Sequence, residues 1–320
     1  MKNIFKKAIC LVAAAGILSF SAFAAFVYMP SDAAEKAALE KAVENGLLNG
    51  VGNDMIAPYD TITRSQMGAI IVRAMGAKNQ ADISKFTDVA KDKWYYSEMA
   101  KAVYMRAFEG DGGSNLYPDK EITYQEAFLV LSRVFDLRYV NENCLDAYAD
   151  KASVASWAEE GVKKIVSGGY YGGATLNATQ PISRVEFAKV MDKLVANYID
   201  TPGTYKELPA GNTLVRCDGV ILDGVVMPAV NSNSEGDLVI IGDGVSSVDI
   251  INADGVSAVL RGQNANLSGC FGVVRAIMPD ASLTPDTKNI SVKTYADGTS
   301  GVISAPSEYG SYINMEAVVE

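Results

Sequence analysis

One pattern returns three times in this chain and limits what it can fold into. TITRSQMGAII (61–71), EITYQEAFLVL (121–131) and PISRVEFAKVM (181–191) each place a hydroxyl residue three positions before Gln or Glu, at the head of an apolar helical run. The hydroxyls are Thr63, Thr123 and Ser183, each 60 residues from the next. A period of this length marks copies of one supersecondary unit. Such a unit cannot bury its apolar face alone and must pack against its neighbours.

Each copy can be read element by element. The hydroxyl and the acid or amide three residues on fit a capping box, which satisfies two helix-start donors. Behind the first cap, Met67, Ile70, Ile71, Ala74 and Met75 recur at helical spacing and form one apolar face. A shorter helix precedes each capped one: around AALEKAVENGLLNG, WYYSEMAKAVYMRAFEG and SWAEEGVKKIVSGG. The first of these should stop at Asn45-Gly46. A Gly/Asp/Asn loop joins the two helices of each copy.

Capping does not account for the arginines. Arg64 and Arg184 fall at the first helical position, beside the positive end of the helix dipole, where a cation is mildly disfavoured. Either they pair with a neighbouring acid, or they join free helix-start amides in an anion-binding station. Trp94 and Trp157, the only tryptophans, follow FTDV and YADK. They suit either core packing at a helix start or a platform for a sugar ring.

Bulk properties exclude several functions. The formal net charge of −10 opposes general nucleic-acid binding. No histidine is present, which removes Ser-His-Asp and Cys-His catalysis and most zinc sites. No metal or other cofactor is expected. Residues 1–24 read as a secretory signal peptide: Lys2, Lys6 and Lys7, an apolar run, then Ala-Phe-Ala. Its removal would leave a charge of −13 and no stable membrane span. Cys144, Cys217 and Cys270 remain; a Cys217–Cys270 bridge and buried free thiols are both open.

Composition changes after about residue 200. DTPGTYKELPAG (200–211) reads as a linker. Beyond it, short β-rich runs alternate with Asp-Gly and Gly turns. Their shortness favours a small β-solenoid over a β-sandwich. The expected class is therefore α+β, a helical unit followed by an all-β domain.

The residues from about 30 to 200 resemble three S-layer homology repeats. The resemblance rests on FTDVAKDKWYYSEMAKAV, EGDGGSNLYPDKEIT and YQEAF in the second copy. It continues in YADKASVASWAEEGVKKIVSGGYYGG with ISRVEF in the third, and AVENGLLNGVGNDMIAPYDTITRSQM in the first. The expected boundaries are 30–80, 81–140 and 145–199, with the linker at 200–211 and the β-rich domain at 212–320. The resemblance implies a three-pronged, pseudo-threefold helical unit. Such a unit binds secondary cell-wall polysaccharide, often through a pyruvylated sugar, in grooves between prongs. Exported proteins are held to the cell wall or surface layer in this way. It implies that Arg64 and Arg184 hold the acidic sugar, with Trp94, Trp157, Asp88, Asp111, Gly110, Gly50 and Asp54 forming the grooves.

The first copy lacks F-x-D-V and its tryptophan, and has Gln66 in place of Glu. The second has Tyr124 in place of the arginine. Read copy by copy, only the third keeps both Trp157 and Arg184, so fewer than three grooves should be competent. Partners would be the wall polymer or peptidoglycan, with self-association or surface-layer partners through the β-domain. The rival reading is a wall-tethered polysaccharide lyase or hydrolase using acids among Asp218, Asp223, Asp237, Asp243, Asp249 and Asp254. Most of these sit in Gly-containing turns, so the chain is expected not to be an enzyme.

Overall fold

The computed structural model describes residues 28–138, 140–228, 236–262, 265–276, 282–283, 290–295 and 313–318. The leader expected at 1–24 and the side chain of Cys270 lie outside the described residues, and so does much of the chain beyond 276. Cys144 and Cys217 are free thiols.

The helical region contains α1 (Ala33–Glu44), α2 (Arg64–Met75), α3 (Tyr96–Tyr104), α4 (Tyr124–Val134), α5 (Glu159–Ser167) and α6 (Arg184–Leu194). Asp32 caps α1 by accepting from the Ala34 and Glu35 amides, and the chain leaves that helix through Asn45 and left-handed Gly46, as expected. Thr63 and Thr123 form complete capping boxes with Gln66 and Glu126. Ser183 makes only half of one: its hydroxyl accepts from the Glu186 amide, while the Glu186 carboxylate takes the Lys189 ammonium at 2.7 Å.

The copies close on one another in a ring. The Ile122 amide donates to the Ile62 carbonyl at 3.0 Å, Ile182 to Ile122 at 2.9 Å, and Ile62 to Ile182 at 3.2 Å. All three isoleucines are fully buried. Antiparallel bridges Thr63–Glu121, Thr123–Pro181 and Thr61–Ser183 run round the same circuit. Helices pair across copies: α3 packs on α2, α5 on α4, and α1 returns to close against α6. Each helical pair therefore draws on two copies, because an amphipathic helix buries its stripe against whichever neighbour the ring presents.

The β region contains β1 (Asn197–Ile199), β2 (Gly203–Tyr205), β3 (Thr213–Val215), β4 (Val220–Asp223), β5 (Leu238–Ile241), β6 (Val248–Leu260) and β7 (Ala265–Ala276). Beyond these lie β8 (Ser282–Leu283), β9 (Ile290–Tyr295) and β10 (Ile313–Val318). Among the described residues every strand pairing is parallel. The expected alternative of a sandwich, which needs antiparallel neighbours, does not fit this topology. The strands stack in two columns, one through β1, β3, β5 and the second half of β6, the other through β2, β4 and the first half of β6. Where no insertion intervenes, paired residues in successive strands lie 16 or 17 positions apart, as Asn197 with Thr213 and Val248 with Ala265. Val215, Val239, Ile241, Leu222, Ile250 and Leu267 fill the interior between columns.

Pairing begins at Asn197, earlier than composition suggests. Residues 200–211 are not a linker: they carry β2, whose Gly203–Tyr205 pairs with Val220–Leu222. Pro202 precedes this strand and Gly203 begins it, while Pro209 and Gly211 lie between it and β3. Nor is the stack separate from the helices. Leu214, Leu238, Ile240 and Val259 belong to the same buried cluster as the helical core.

A candidate groove between three repeats

The helix starts do not offer free amides. The Arg64 and Ser65 amides donate to the Lys120 and Pro118 carbonyls at 2.9 Å, and the Gln66 amide goes to Thr63. The same bonds recur from Tyr124 and Gln125 to Gln180 and Ala178, and from Arg184 and Val185 to Asp60 and Pro58. The expected anion station at a helix N-terminus is therefore not formed, because an extended segment of the next copy satisfies those donors. Sequence inspection of one copy cannot reveal an acceptor supplied by another.

The arginines are largely structural ties between copies. Arg184 is 7% exposed; its Nε donates to the Ile56 carbonyl at 2.8 Å and its Nη2 to that of Asn49 at 2.6 Å. Arg64 Nε donates to the Leu116 carbonyl at 2.8 Å, its Nη1 lies 3.6 Å from Glu126, and its guanidinium stacks 4.8 Å from the Phe108 ring centre. Burial pulls both guanidinium groups below their ordinary value, opposed by Glu126 and Asp88 around Arg64 and by Asp60 around Arg184.

Asp88 and Asp111 hold the loop. The Asp88 carboxylate accepts from the Leu116 amide at 3.0 Å and the Tyr117 amide at 2.6 Å. Tyr117 has a φ of +52°, which a non-glycine residue adopts only when its surroundings enforce it. In the third copy Asp150 does the same for Leu176 and for left-handed Asn177. The Asp111 carboxylate is tied to the Asn115 side-chain amide, the Gly113 amide and the Tyr117 hydroxyl, which hold it well below the usual carboxylate range. Gly110 has a φ of +83°, and a Cβ there would lie 2.8 Å from the Asn115 carbonyl oxygen. Replacing Asp88 with alanine should speed amide exchange at Leu116 and Tyr117, as read by hydrogen–deuterium exchange.

Asp150 gives a pH signature. The Leu176 amide, followed by that of Asn177, lowers its carboxyl below the ordinary value of 3.8. A carboxyl lowered on folding contributes stability that is fully present above its unfolded value and is lost as pH falls through its folded value. Melting temperature should thus fall below about pH 4, and Asp150→Asn should make that fall shallower in thermal melts.

A groove of about 510 Å³ brings parts of all three copies together. Arg64 comes from the first. Phe108, Gly110, Asp111, Tyr117, Lys120 and Arg133 come from the second, and Trp157 from the third. Four expected site residues, Arg64, Gly110, Asp111 and Trp157, meet here. Phe108, Tyr117, Lys120 and Arg133 were missed: the first three have only their place in or beside a repeated loop as a signal, and Arg133, in the last turn of α4, only its charge. Trp157 and Trp94 are 56% and 63% exposed, so neither is packed in the core. The groove is ringed by paired charges, Lys120 with Glu126 at 3.0 Å and Arg133 with Glu109 at 3.1 Å. Such an arrangement can stack a flat apolar face on Trp157 and meet an anion with partly neutralised cations.

The ring relates the other sites. Trp157 stands two residues before α5, which packs on α4; Trp94 stands two before α3, which packs on α2. Arg184 binds the loop ahead of α2, the loop that carries Gly50 and Asp54. Trp94 and Arg184, from different copies, therefore correspond to Trp157 and Arg64. The remaining position combines Tyr124, opposite the loop ahead of α6, with Ser31 two residues before α1. Tyr124 is buried there, 5.9 Å from the Phe128 and Tyr171 ring centres. The two sequence losses, Tyr124 in place of the arginine and the missing tryptophan of the first copy, thus fall at one position.

In the β region, four of the six acids considered for catalysis are engaged in the stack. Asp218 accepts from the Ser247 amide at 3.4 Å and Asp237 from the Gly211 amide at 2.8 Å. Asp223 pairs with Lys206 at 2.7 Å and Asp243 with Arg261 at 2.8 Å. Among the described residues no helix is long and apolar enough to cross a membrane.

The S-layer homology domain family matches residues 29–67 and 85–128, segments that fall in the first two copies. The chain is 31% identical to the Surface-layer 125 kDa protein of Lysinibacillus sphaericus, over 52% of this chain and 14% of that protein. It is 30% identical to the Surface layer protein of Brevibacillus choshinensis over 41% of this chain and 13% of that one. It is 27% identical to the Amylopullulanase of Thermoanaerobacterium thermosulfurigenes over 54% and 10%. The chain thus spans no more than about a seventh of these relatives. The domain match and the surface-layer relatives support a place at the cell surface.

Proposed function

We propose that this chain is a non-covalent anchor, with residues 30–199 acting as three S-layer homology repeats that grip an acidic, pyruvylated wall sugar and display a small β-solenoid. The observation that carries this reading is the groove in which Arg64, Trp157 and the loop at 107–117 converge from three copies. Trp157 takes the apolar face of a sugar ring. The free edge of Arg64, with Lys120 and Arg133, meets the carboxylate. The attraction is local, within about a Debye length of 8–10 Å, so a chain of net charge −10 can still bind an anionic polymer. Two grooves are complete and the third, with Tyr124 and Ser31, is not. The role is binding rather than catalysis: surface-layer proteins and a glycan-degrading enzyme share this likeness, which fits a common attachment device.

Co-sedimentation with wall sacculi, native and stripped of their polymer, tests this. Wild type should pellet only with native sacculi. Titration with soluble wall-polymer fragments should give two sites per chain, with Trp157→Ala or Trp94→Ala leaving one and Tyr124→Phe leaving two. Equal pelleting with stripped sacculi would point to peptidoglycan, and no pelleting with either would end the anchor reading.

A further inference from the structure

The C-terminal ends of α1, α2, α3 and α6 meet the β stack, and the stack supplies their caps. The last carbonyls of a helix have no partner within it and carry partial negative charge. Arg216 Nη1 donates to the Asn45 carbonyl at the end of α1 at 2.8 Å, and Arg261 Nη2 to the Met105 carbonyl after α3 at 3.0 Å. Asn212 Nδ2 donates to the Leu194 carbonyl closing α6 at 3.0 Å, and the Gly244 amide to Met75 at the end of α2 at 3.0 Å. Just past α4, Asp136 lies 3.6 Å from Arg275 of β7. Arg261, Arg275, Asp136 and Asn212 are all buried. Four stack residues, Leu214, Leu238, Ile240 and Val259, complete the helical core.

Backbone contact is close enough to leave no room for slippage. A Cβ on Gly244 would lie 2.0 Å from the Gly76 carbonyl oxygen, and one on Gly242 2.7 Å from that of Met75. No positive φ demands glycine at either place, so the obstacle is the helical unit itself.

We infer that the β stack is an obligatory part of the anchor: it caps the C-terminal ends of α1, α2, α3 and α6, and the two regions form one rigid body that folds and unfolds together. The stack's direction is then fixed relative to the grooves, with no swivel at residues 200–211. This inference stands on the interface alone and does not depend on what the grooves bind.

The test uses the full chain in urea. Both tryptophans lie in the helical region, so their fluorescence reports that region, while hydrogen exchange of β4 and β6 peptides reports the stack. Leu267→Ala opens a cavity in the stack's own interior, where Leu267 is fully buried. It should move the tryptophan midpoint to lower urea by the same amount as the exchange-detected opening of the stack. Gly244→Ala should lower both together. A Leu267→Ala chain whose stack opens at lower urea while its tryptophan midpoint is unchanged would overturn the inference. So would Gly244→Ala with a wild-type tryptophan midpoint.

Discussion

Replacing Arg184 with alanine is expected to lower the free energy of unfolding by about 3 kcal/mol, read by urea denaturation. The side chain is buried, and its loss strands the Ile56 and Asn49 carbonyls that it now binds. Arg184→Lys should recover little of this, since one ammonium cannot reproduce a planar fork spanning two acceptors. Arg64→Ala should cost less, about 1–2 kcal/mol, because Glu126 keeps Lys120 as partner. Any loss of wall binding in either variant therefore mixes a distorted loop with a missing cation. The exposed tryptophans separate these effects, as their truncation removes a platform without removing a tie between copies.

Ile122→Ala should cost about 2–5 kcal/mol, the range for truncating a buried branched side chain. The position matters as much as the volume. Ile122 donates to Ile62 and accepts from Ile182, so a cavity there loosens the junction on which all copies meet. Exchange should quicken in α2, α4 and α6 alike rather than in one copy. A double change with Ile62→Ala should depart from additivity, since the two side chains share one junction.

Much of the helical half could be read from the sequence because local signals and the global fold agree there. The three hydroxyl caps, the stop at Asn45-Gly46 and the apolar stripe of α2 all stand where the spacing puts them. Non-local relations were hidden. Which helix pairs with which depends on ring closure, so α1 meeting α6 has no signature near either. The occupied helix-start amides follow from the same closure. The strands up to β5 are short and separated by Gly turns as read, but β6 runs 13 residues through Asp254-Gly255, where a turn was expected, and the β region starts earlier than expected. Proline and glycine signal a coil corner and a linker equally well, and only the pairing of Gly203–Tyr205 with Val220–Leu222 decides between them. For the groove, Arg64, Trp157, Gly110 and Asp111 were found through the resemblance, whereas Lys120 had only its place in the loop as a mark and Arg133 only its charge.

The isoleucine junction makes copy number a discrete property of the helical half. A circuit in which the first copy bonds the last has no open end, so a fourth copy would have to break a bond before making one. A deletion would leave two copies facing a gap. The circuit thus accepts substitutions within its three copies more readily than a change in their number. The parallel stack obeys the opposite rule. Each strand pairs only with its neighbours in the parallel order, so lengthening the sheet at its far edge would break no existing pairing.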